Sequence, residues 1–243
     1  MNITTCSPRP VLQPCSLENL DHQIDPYVGC GHLCHYCYAL DGAESDWSQE
    51  IFVHEDITGQ LATELSGIAP QHIYFGYHSD AYQPCEADHR QTRQVLELLL
   101  AQGFSASILT KSDLVLRDLD LLRQMKEPRV SVSVAFTDEA VRRQFEGNTI
   151  ATEARIEALR QLRQAGIKTS ALLCPVIPFI TDAEQLIDQL ADCTDKIWIY
   201  GLSFRDRSGR AWQQTCAASF REGRYRACLD GRTIISLTST SAG

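Results

Sequence analysis

The alternation of short apolar segments with amphipathic segments constrains the fold of this 243-residue chain more than any other feature. Apolar segments typical of buried strands lie near 23–28 and at 72–77, 105–110, 129–136, 167–177 and 196–202. Helical periodicity marks segments between them, at 92–103, 113–125, 152–166 and 182–192. Because alternating strands and helices form parallel sheets with right-handed crossovers, the sequence predicts an α/β fold, a partial (β/α)6 barrel with parallel strands. We assign this barrel to 22–202, between an N-terminal extension (1–21) and a short C-terminal extension (203–243).

Local signals sharpen the helix boundaries. Ser112 and Thr152 are predicted N-caps, because a hydroxyl accepts a hydrogen bond from a free backbone N–H of the first helical turn. Gly103 and Gly166 are predicted to end their helices, since glycine readily adopts a left-handed backbone. Apolar residues at helical spacing form the predicted inner faces of these two helices: Val95, Leu96, Leu99 and Leu100 in the first, and Ile156, Leu159 and Leu162 in the second.

Composition is that of an ordinary globular protein, with 44% apolar and 22% charged residues. No apolar run is long enough to span a membrane, and the N-terminus lacks the pattern of a signal peptide. We therefore expect a cytoplasmic protein with no membrane partner, in which cysteines stay reduced and are available to metals. The net charge of −9 argues mildly against a nucleic acid partner. Arginines between 205 and 226 concentrate positive charge near the C-terminus, which we interpret as a solvated surface.

Three cysteines lie in one short run, DPYVGCGHLCHYCYAL: Cys30, Cys34 and Cys37. Thiolates are the usual ligands of iron–sulfur clusters, and a closed four-iron cluster uses four of them. The C-x3-C-x2-C spacing supplies three, so one iron of a [4Fe-4S] cluster keeps an open position. An open position lets a metal bind a substrate or cofactor directly. The run therefore predicts an iron–sulfur site built for chemistry.

Two other interpretations of these cysteines remain open. A structural zinc site usually repeats a C-x2-C pair or adds paired histidines, whereas this chain has no second C-x2-C, and the spacing of His32 and His35 is unlike that of a zinc finger. The second interpretation is that the three cysteines cluster by chance, because the chain has ten cysteines.

Five other cysteines are too scattered to define a second cluster: Cys6, Cys15, Cys193, Cys216 and Cys228.

Polar residues follow the predicted strands at the points where they end. His78-Ser79-Asp80 follows the second strand, Thr110-Lys111-Ser112 the third, and the fourth carries Ser133. In parallel α/β folds the ligand site lies at the carboxyl ends of the strands. A carboxylate, a lysine and hydroxyls at this rim complement a ligand that carries an ammonium, a carboxylate and further hydroxyls.

The run C-x3-C-H-Y-C-Y resembles the radical S-adenosylmethionine (radical SAM) enzymes. From residue 22 to about 202 the chain is similar to their spore photoproduct lyase-like branch, on the segments CHYCY, SDAYQPCE, TKSDLVLRDLDLL, SVSVAF and AGIKTSALLCPVIPFITD. The resemblance implies a partial barrel with a [4Fe-4S] cluster whose open iron binds S-adenosylmethionine. It also implies reductive cleavage of that cofactor to a 5′-deoxyadenosyl radical, and an electron donor such as flavodoxin or ferredoxin.

The resemblance further implies roles for individual residues. Ser79 and Asp80 would hold the ammonium of S-adenosylmethionine, and Lys111 and Ser133 its carboxylate and ribose region. The other expected roles are an adenine contact for Tyr36, a radical-relay tyrosine at Tyr38, and a carboxylate or substrate contact for Arg155, whose alternative role is a solvated helix position.

The chain departs from the lyase in two respects. The lyase has a hydrogen-donating cysteine directly before Thr-Ser-Asp of the second strand, and Tyr77 stands there in this chain. Cys85 and Cys174 are the alternative thiols near the rim, each with the simpler role of a buried residue. The chain after the sixth strand is also short for covering a duplex. Our candidate catalytic residues are therefore Tyr38, Tyr77, Cys85 and Cys174.

The sequence thus predicts a radical SAM enzyme whose radical abstracts hydrogen from a small-molecule or peptide substrate. A nucleic acid lyase or base-modifying enzyme is the alternative enzyme class. A non-catalytic iron–sulfur carrier is the alternative outside enzymes, although a carrier has no need of Ser79, Asp80, Lys111 and Ser133.

Overall fold

The computed structural model describes residues 1–6, 9–177, 180–201, 209–210 and 212–214. In this part of the chain the strands are β1 (Asn2–Thr5), β2 (Leu12–Pro14), β3 (His22–Ile24), β4 (Tyr27–Val28), β5 (Glu50–Val53), β6 (His72–Phe75), β7 (Ser105–Thr110), β8 (Arg129–Ser133), β9 (Lys168–Val176) and β10 (Lys196–Gly201). The helices are α1 (Ile57–Glu64), α2 (Glu86–His89), α3 (Gln91–Ala101), α4 (Leu119–Leu122), α5 (Glu139–Phe145), α6 (Thr152–Gln164) and α7 (Ala183–Leu190). Short 3-10 helices lie at Tyr38–Gly42 and Asp113–Asp118.

The main sheet has the order β10-β9-β8-β7-β6-β3-β2. Its strands β3 and β6 to β10 are all parallel and follow one another in chain order, and β2 is antiparallel to β3. Right-handed crossovers that always advance in one direction place the helices on the same face of the sheet. The sheet then curls around its other face, as in a barrel. The prediction of a parallel, partial barrel is confirmed.

The two faces of the sheet differ in chemistry because successive side chains of a strand point to opposite sides. One face packs against the helices, as Ile73 and Phe75 of β6 and Val130 and Val132 of β8 do. The predicted inner faces of α3 and α6 are buried against this core at Val95, Leu96, Leu99, Ile156, Leu159 and Leu162, and Leu100, also predicted, is partly buried against it. Burying one leucine or isoleucine side chain completely stabilises the fold by about 1.5–3 kcal/mol relative to leaving it exposed. The inner face is left for polar residues such as Tyr74, Ser133 and Cys174.

Several predicted boundaries change for identifiable reasons. The first predicted strand is two strands, β3 and β4, which lie in different sheets on either side of Asp25 and Pro26. Proline has no N–H for a ladder bond, so the pairing breaks there. The strand predicted at 72–77 ends at Phe75, because Gly76 has a φ of +92°. The helix predicted at 113–125 is divided into a 3-10 helix and α4.

Three of the four predicted helix-end residues are confirmed. Ser112 caps its helix by accepting from the N–H of Leu114 at 3.2 Å. Gly103 and Gly166 follow their helices with φ values of +79° and +81°. Thr152 is not the N-cap of α6, which is Ala151. Its hydroxyl instead donates to the Phe136 carbonyl oxygen at 2.7 Å, so the prediction of a threonine cap is wrong.

A second, small sheet was not predicted from the sequence. It has the order β1-β5-β4, and β4 leads into the cysteine run. The residues assigned to an N-terminal extension provide β1 to this sheet and β2 to the main one. The helices α1, α2 and α5 were also missed, being short and without a clear apolar stripe. The predicted C-terminal extension lies outside the described residues, including Cys216 and Cys228, except at 209–210 and 212–214.

No helix among the described residues is long and apolar enough to cross a membrane.

Candidate active site at the carboxyl ends of the strands

A cavity of about 1050 Å³ lies at the carboxyl ends of the parallel strands. It is lined by eleven of the thirteen residues predicted for the site: Cys30, Cys34, Tyr36, Cys37, Tyr38, Tyr77, Ser79, Asp80, Lys111, Ser133 and Cys174. These residues come from β8, β9, the cysteine run and the segments that follow β6 and β7. The structure therefore brings together side chains that are far apart in sequence.

The cysteine run is held in place by two amide side chains. Gln83, which is fully buried, accepts from the Gly31 N–H at 2.7 Å and donates to the Gly29 carbonyl oxygen at 3.0 Å. Asn148 donates to the Gly31 carbonyl oxygen at 3.0 Å, and its own backbone carbonyl oxygen lies 3.2 Å from Nδ1 of His32. Gln83 thus bonds the backbone on both sides of Cys30, the first predicted cluster ligand.

The thiols of the run are poorly solvated. Burial raises the pKa of Cys30 to about 12, with a smaller contribution from the Asp80 carboxylate. Burial also raises the pKa of Cys34 and of Cys37, and Lys111 lowers both in part. A bound metal stabilises the thiolate form and reverses this effect.

The donor set fits a cluster. Within the described ranges, no three Cys, His, Asp or Glu side chains are close enough to hold a single metal ion. A four-iron cluster spreads its thiolate ligands over separate irons. Three thiols that line one cavity without converging on one point are compatible with such a group. All eight cysteines in the described residues are free.

Asp80 joins the ends of two strands and the cysteine run. Its carboxylate accepts from the Thr110 hydroxyl at 2.7 Å and from the Lys111 N–H at 2.7 Å. Its Oδ2 also lies 3.2 Å from Nε2 of His32. Burial by itself raises the pKa of Asp80, but His32 and the hydrogen bond from Thr110 outweigh it and lower the pKa to about 2. Asp80 therefore carries a full negative charge beside the cavity.

Asp25 fixes the start of the segment that contains Ser79. Its Oδ1 accepts from the N–H groups of His78 and Ser79 at 2.9 and 3.0 Å, and its Oδ2 lies 2.9 Å from Nδ1 of His78. The hydrogen bond to Asp25 raises the pKa of His78, against the effect of burial. The Ser79 hydroxyl donates to the Tyr27 carbonyl oxygen at 2.9 Å, so Ser79 is anchored as well.

Lys111 and Tyr36 face each other on the cavity wall. The Nζ atom of Lys111 lies 5.8 Å from the centre of the Tyr36 ring, within the range of a cation–π contact. The Ser133 hydroxyl donates to the Cys174 carbonyl oxygen at 3.3 Å. A positive charge, a hydroxyl and an aromatic ring are therefore presented together to the cavity.

Tyrosines form the outer part of the cavity. The Tyr38 hydroxyl donates to the Tyr77 carbonyl oxygen, and the two rings meet edge to face with their centres 6.1 Å apart. Tyr77 also meets Tyr74 edge to face, at 6.4 Å, and its hydroxyl is hydrogen-bonded to that of Ser16 at 2.8 Å. Tyr38 is 53% exposed, so it lies at the mouth.

Two predicted site residues do not reach the cavity. Cys85 is buried beside Tyr27 and Trp47 in an apolar cluster, and burial with the neighbouring Glu86 carboxylate raises its pKa to about 12. Arg155 is only 1% exposed, does not line the cavity, and donates to buried groups, among them Glu146 at 2.5 Å. The predictions of a rim thiol at Cys85 and of either a ligand contact or a solvated position for Arg155 are therefore corrected.

The sequence reasoning missed the residues that support the site: Asp25, His32 as a partner of Asp80, Gln83, Glu146 and Asn148. Asp25 directly follows β3 in the structure, but it lies inside the first strand predicted from the sequence, so that prediction hid its position at a strand end. Gln83 lies within SDAYQPCE, a segment already singled out, but nothing in its sequence context shows that it reaches the cysteine run.

Comparisons with known proteins agree with this geometry. The Radical SAM superfamily model matches residues 24–190. An uncharacterized protein of Methanocaldococcus jannaschii is 31% identical to this chain over 189 residues, which are 76% of this chain and 71% of that protein. The radical SAM Nα-GlyT isomerase of Pseudomonas phage M6 is 24% identical over 188 residues, which are 74% of this chain and 38% of the isomerase.

Among solved structures, a spore photoproduct lyase mutant with bound S-adenosylmethionine and dinucleoside spore photoproduct has a similar fold. Its TM-score is 0.65 at 19% identity, over 91% of this chain and 67% of the lyase. The family model covers most of the barrel and includes all three cysteines of the run. This chain belongs to the radical SAM superfamily of enzymes.

Proposed function

We propose that this enzyme holds a [4Fe-4S] cluster on Cys30, Cys34 and Cys37 and binds S-adenosylmethionine at the open iron. When bound, the reduced cluster and S-adenosylmethionine supply a 5′-deoxyadenosyl radical, which abstracts hydrogen from a small-molecule or peptide substrate. The observation that carries the proposal is the cavity in which the three thiols meet Asp80, Lys111 and Ser133.

The cavity residues complement S-adenosylmethionine group by group. The buried negative charge of Asp80, with the anchored Ser79, suits the ammonium. The Lys111 ammonium suits the carboxylate, and Ser133 and the ring of Tyr36 suit the ribose and adenine. A charge that is already in place and poorly solvated binds its partner more strongly than a charge in water does.

The cavity also leaves room for a second molecule. Pockets for one drug-sized ligand span about 300–1,000 Å³. The cavity of about 1050 Å³ is slightly larger than that range. Its outer part, with Tyr38, Tyr77 and His78, is the region we assign to the substrate. Tyr38 and Tyr77 in this region, and Cys174 on the inner face of the sheet, are the groups that we propose to exchange a hydrogen atom with a radical.

A nucleobase is the second candidate substrate. Two similar proteins favour it, namely the phage enzyme named as a radical SAM Nα-GlyT isomerase and the lyase that was solved with a dinucleoside. The net charge of −9 and the acidic cavity neighbours Asp25 and Asp80 weigh against a long duplex. We keep the small-molecule or peptide substrate as the first proposal, with a flavodoxin or ferredoxin as electron donor in the cytoplasm.

The first experiment is anaerobic purification and cluster reconstitution, followed by electron paramagnetic resonance of the reduced protein with and without S-adenosylmethionine. The expected result is a cluster signal that shifts on addition of S-adenosylmethionine, with 5′-deoxyadenosine as a product. Cys30→Ala, Cys34→Ala and Cys37→Ala are each expected to abolish that product. A cluster that does not respond to S-adenosylmethionine would instead indicate an iron–sulfur carrier, and a colourless protein with about one zinc per chain a zinc module.

A further inference from the structure

A buried ion pair connects two walls of the cavity from behind. Glu146 is fully buried, and its Oε2 accepts from Nη2 of Arg155 at 2.5 Å. Its other carboxylate oxygen accepts from the Tyr36 hydroxyl. On the opposite side, Nη1 of Arg155 donates to the Ser133 carbonyl oxygen at 2.9 Å. Neither Glu146 nor Arg155 lines the cavity, whereas Tyr36 and Ser133 both do.

The pair is fully supplied with hydrogen-bond partners. Arg155 also donates to the Thr149 hydroxyl at 2.5 Å and to the Ile150 carbonyl oxygen at 3.2 Å. Such a network fixes its members in a single arrangement. A buried ion pair contributes little net stability, since desolvation offsets the attraction between the charges. What the pair does provide here is a rigid connection between the cysteine run and the end of β8.

The connection reaches one further cavity residue. Because the Tyr36 hydroxyl is held by the buried Glu146, it faces away from the cavity, and the position of the ring is fixed. The Nζ atom of Lys111 lies 5.8 Å from the centre of that ring. Tyr36, Lys111 and Ser133 are the three residues proposed above for the carboxylate, ribose and adenine of S-adenosylmethionine.

We propose that Glu146 and Arg155 are positioning residues for S-adenosylmethionine, and that they act through the Tyr36 hydroxyl and the Ser133 carbonyl. The inference rests on the proposed function, since it assumes that S-adenosylmethionine binds in this cavity. In the absence of this network, the Tyr36 ring has to be ordered when the cofactor binds. Immobilising one side chain costs about 0.5–1.5 kcal/mol, which corresponds to roughly a two- to twelvefold change in affinity.

Tyr36→Phe tests the inference, because it removes the hydroxyl and keeps the ring. Tyr82→Phe is the matched control. Tyr82 is also fully buried, its hydroxyl donates to a buried carboxylate, Asp118, at 3.1 Å, and its side chain does not line the cavity. The reconstituted protein is assayed for its Kd for S-adenosylmethionine and for iron per chain. Cleavage of S-adenosylmethionine in the absence of substrate provides kcat and KM for that cofactor.

We expect Tyr36→Phe to raise the Kd and KM for S-adenosylmethionine roughly three- to tenfold, with iron per chain and kcat little changed. Tyr82→Phe is expected to bind S-adenosylmethionine like the wild type. Equal Kd values for the wild type and both variants would overturn the inference. Equally weakened binding in both variants would also overturn it, because general destabilisation would then explain the loss.

Two substitutions of Glu146 provide a second test. Glu146→Gln keeps a side-chain oxygen that can accept from the Tyr36 hydroxyl but removes the charge beside Arg155, whereas Glu146→Leu removes both. We expect its Kd to lie between those of the wild type and Glu146→Leu, and an inverted order would count against the inference. Failure of the wild type itself to bind S-adenosylmethionine would refute the proposed function, an outcome distinct from failure of the positioning role.

Discussion

Gln83→Leu is expected to loosen the cysteine run, because it removes the only side chain shown to bond the backbone on both sides of Cys30 in the described structure. Leucine has similar volume but no donor or acceptor. The substitution leaves the Gly31 N–H and the Gly29 carbonyl without their buried partner, at about 1–3 kcal/mol for each group. Allowing for the apolar area that leucine buries, we expect a loss of about 2–4 kcal/mol.

The assay has two parts. For a domain of this size each kcal/mol lowers Tm by about 2–4 °C, so Tm of the protein without cluster should fall by roughly 4–16 °C. The reconstituted protein should also release iron faster to a chelator. Gln94→Leu is the control, since Gln94 is exposed and its side-chain amide donates a long hydrogen bond of 3.4 Å to the His89 carbonyl oxygen. If Gln83→Leu matches Gln94→Leu in both Tm and iron release, the run does not depend on Gln83.

Further predictions concern the surroundings of the cavity. The hydrogen bond to Asp25 raises the pKa of His78, and Asp25→Asn is expected to lower it in a histidine NMR titration. Because the folded chain favours the protonated His78 ring, the contribution of His78 to the free energy of unfolding is complete below about pH 6.5 and is lost as the pH rises through the raised pKa. An unchanged His78 titration in Asp25→Asn would refute this pairing. Gly76→Ala is expected to lower the free energy of unfolding, measured with urea, by about 1–3 kcal/mol or more. The reason is that φ of Gly76 is +92° and an added Cβ would lie 2.3 Å from the Leu109 carbonyl oxygen. An unchanged unfolding midpoint would show that the backbone adapts there. Cys85→Ser is expected to keep the iron content of the reconstituted protein, because Cys85 does not line the cavity; loss of iron would make it a ligand.

The barrel was predictable because its determinants are local. Strand and helix periodicity depends only on residues a few positions apart in sequence, and the buried faces of α3 and α6 appear where that periodicity predicts them. The C-x3-C-x2-C spacing is local as well. The strand-end residues Ser79, Asp80 and Lys111 share one cavity because parallel strands end at the same edge. That rule depends on topology, and it needs no knowledge of side-chain packing.

The small sheet and the thiol at Cys85 were not predictable in this way. The strands β1 and β5 are short, and they pair across 48 positions of sequence. No pattern within either segment indicates that the two strands pair. Cys85 is close in sequence to Asp80, which lines the cavity, but the chain turns into α2 directly after it. Its side chain joins Trp47 and Tyr27 instead of the cavity.

The supporting residues show most clearly why a site is harder to predict than its fold. Glu146 follows a short helix in the run FEGN, where a charged residue is ordinarily solvated. Its burial is set by Arg155, nine positions later, and by Tyr36, 110 positions earlier. The same reasoning applied to Arg155 alone predicts an exposed helix position. Each charge is buried only because the other is present, so the pair is a property of the tertiary structure and of neither residue separately. The residues that line the cavity can thus be predicted from motifs, while those that hold them become visible only once the chain has folded.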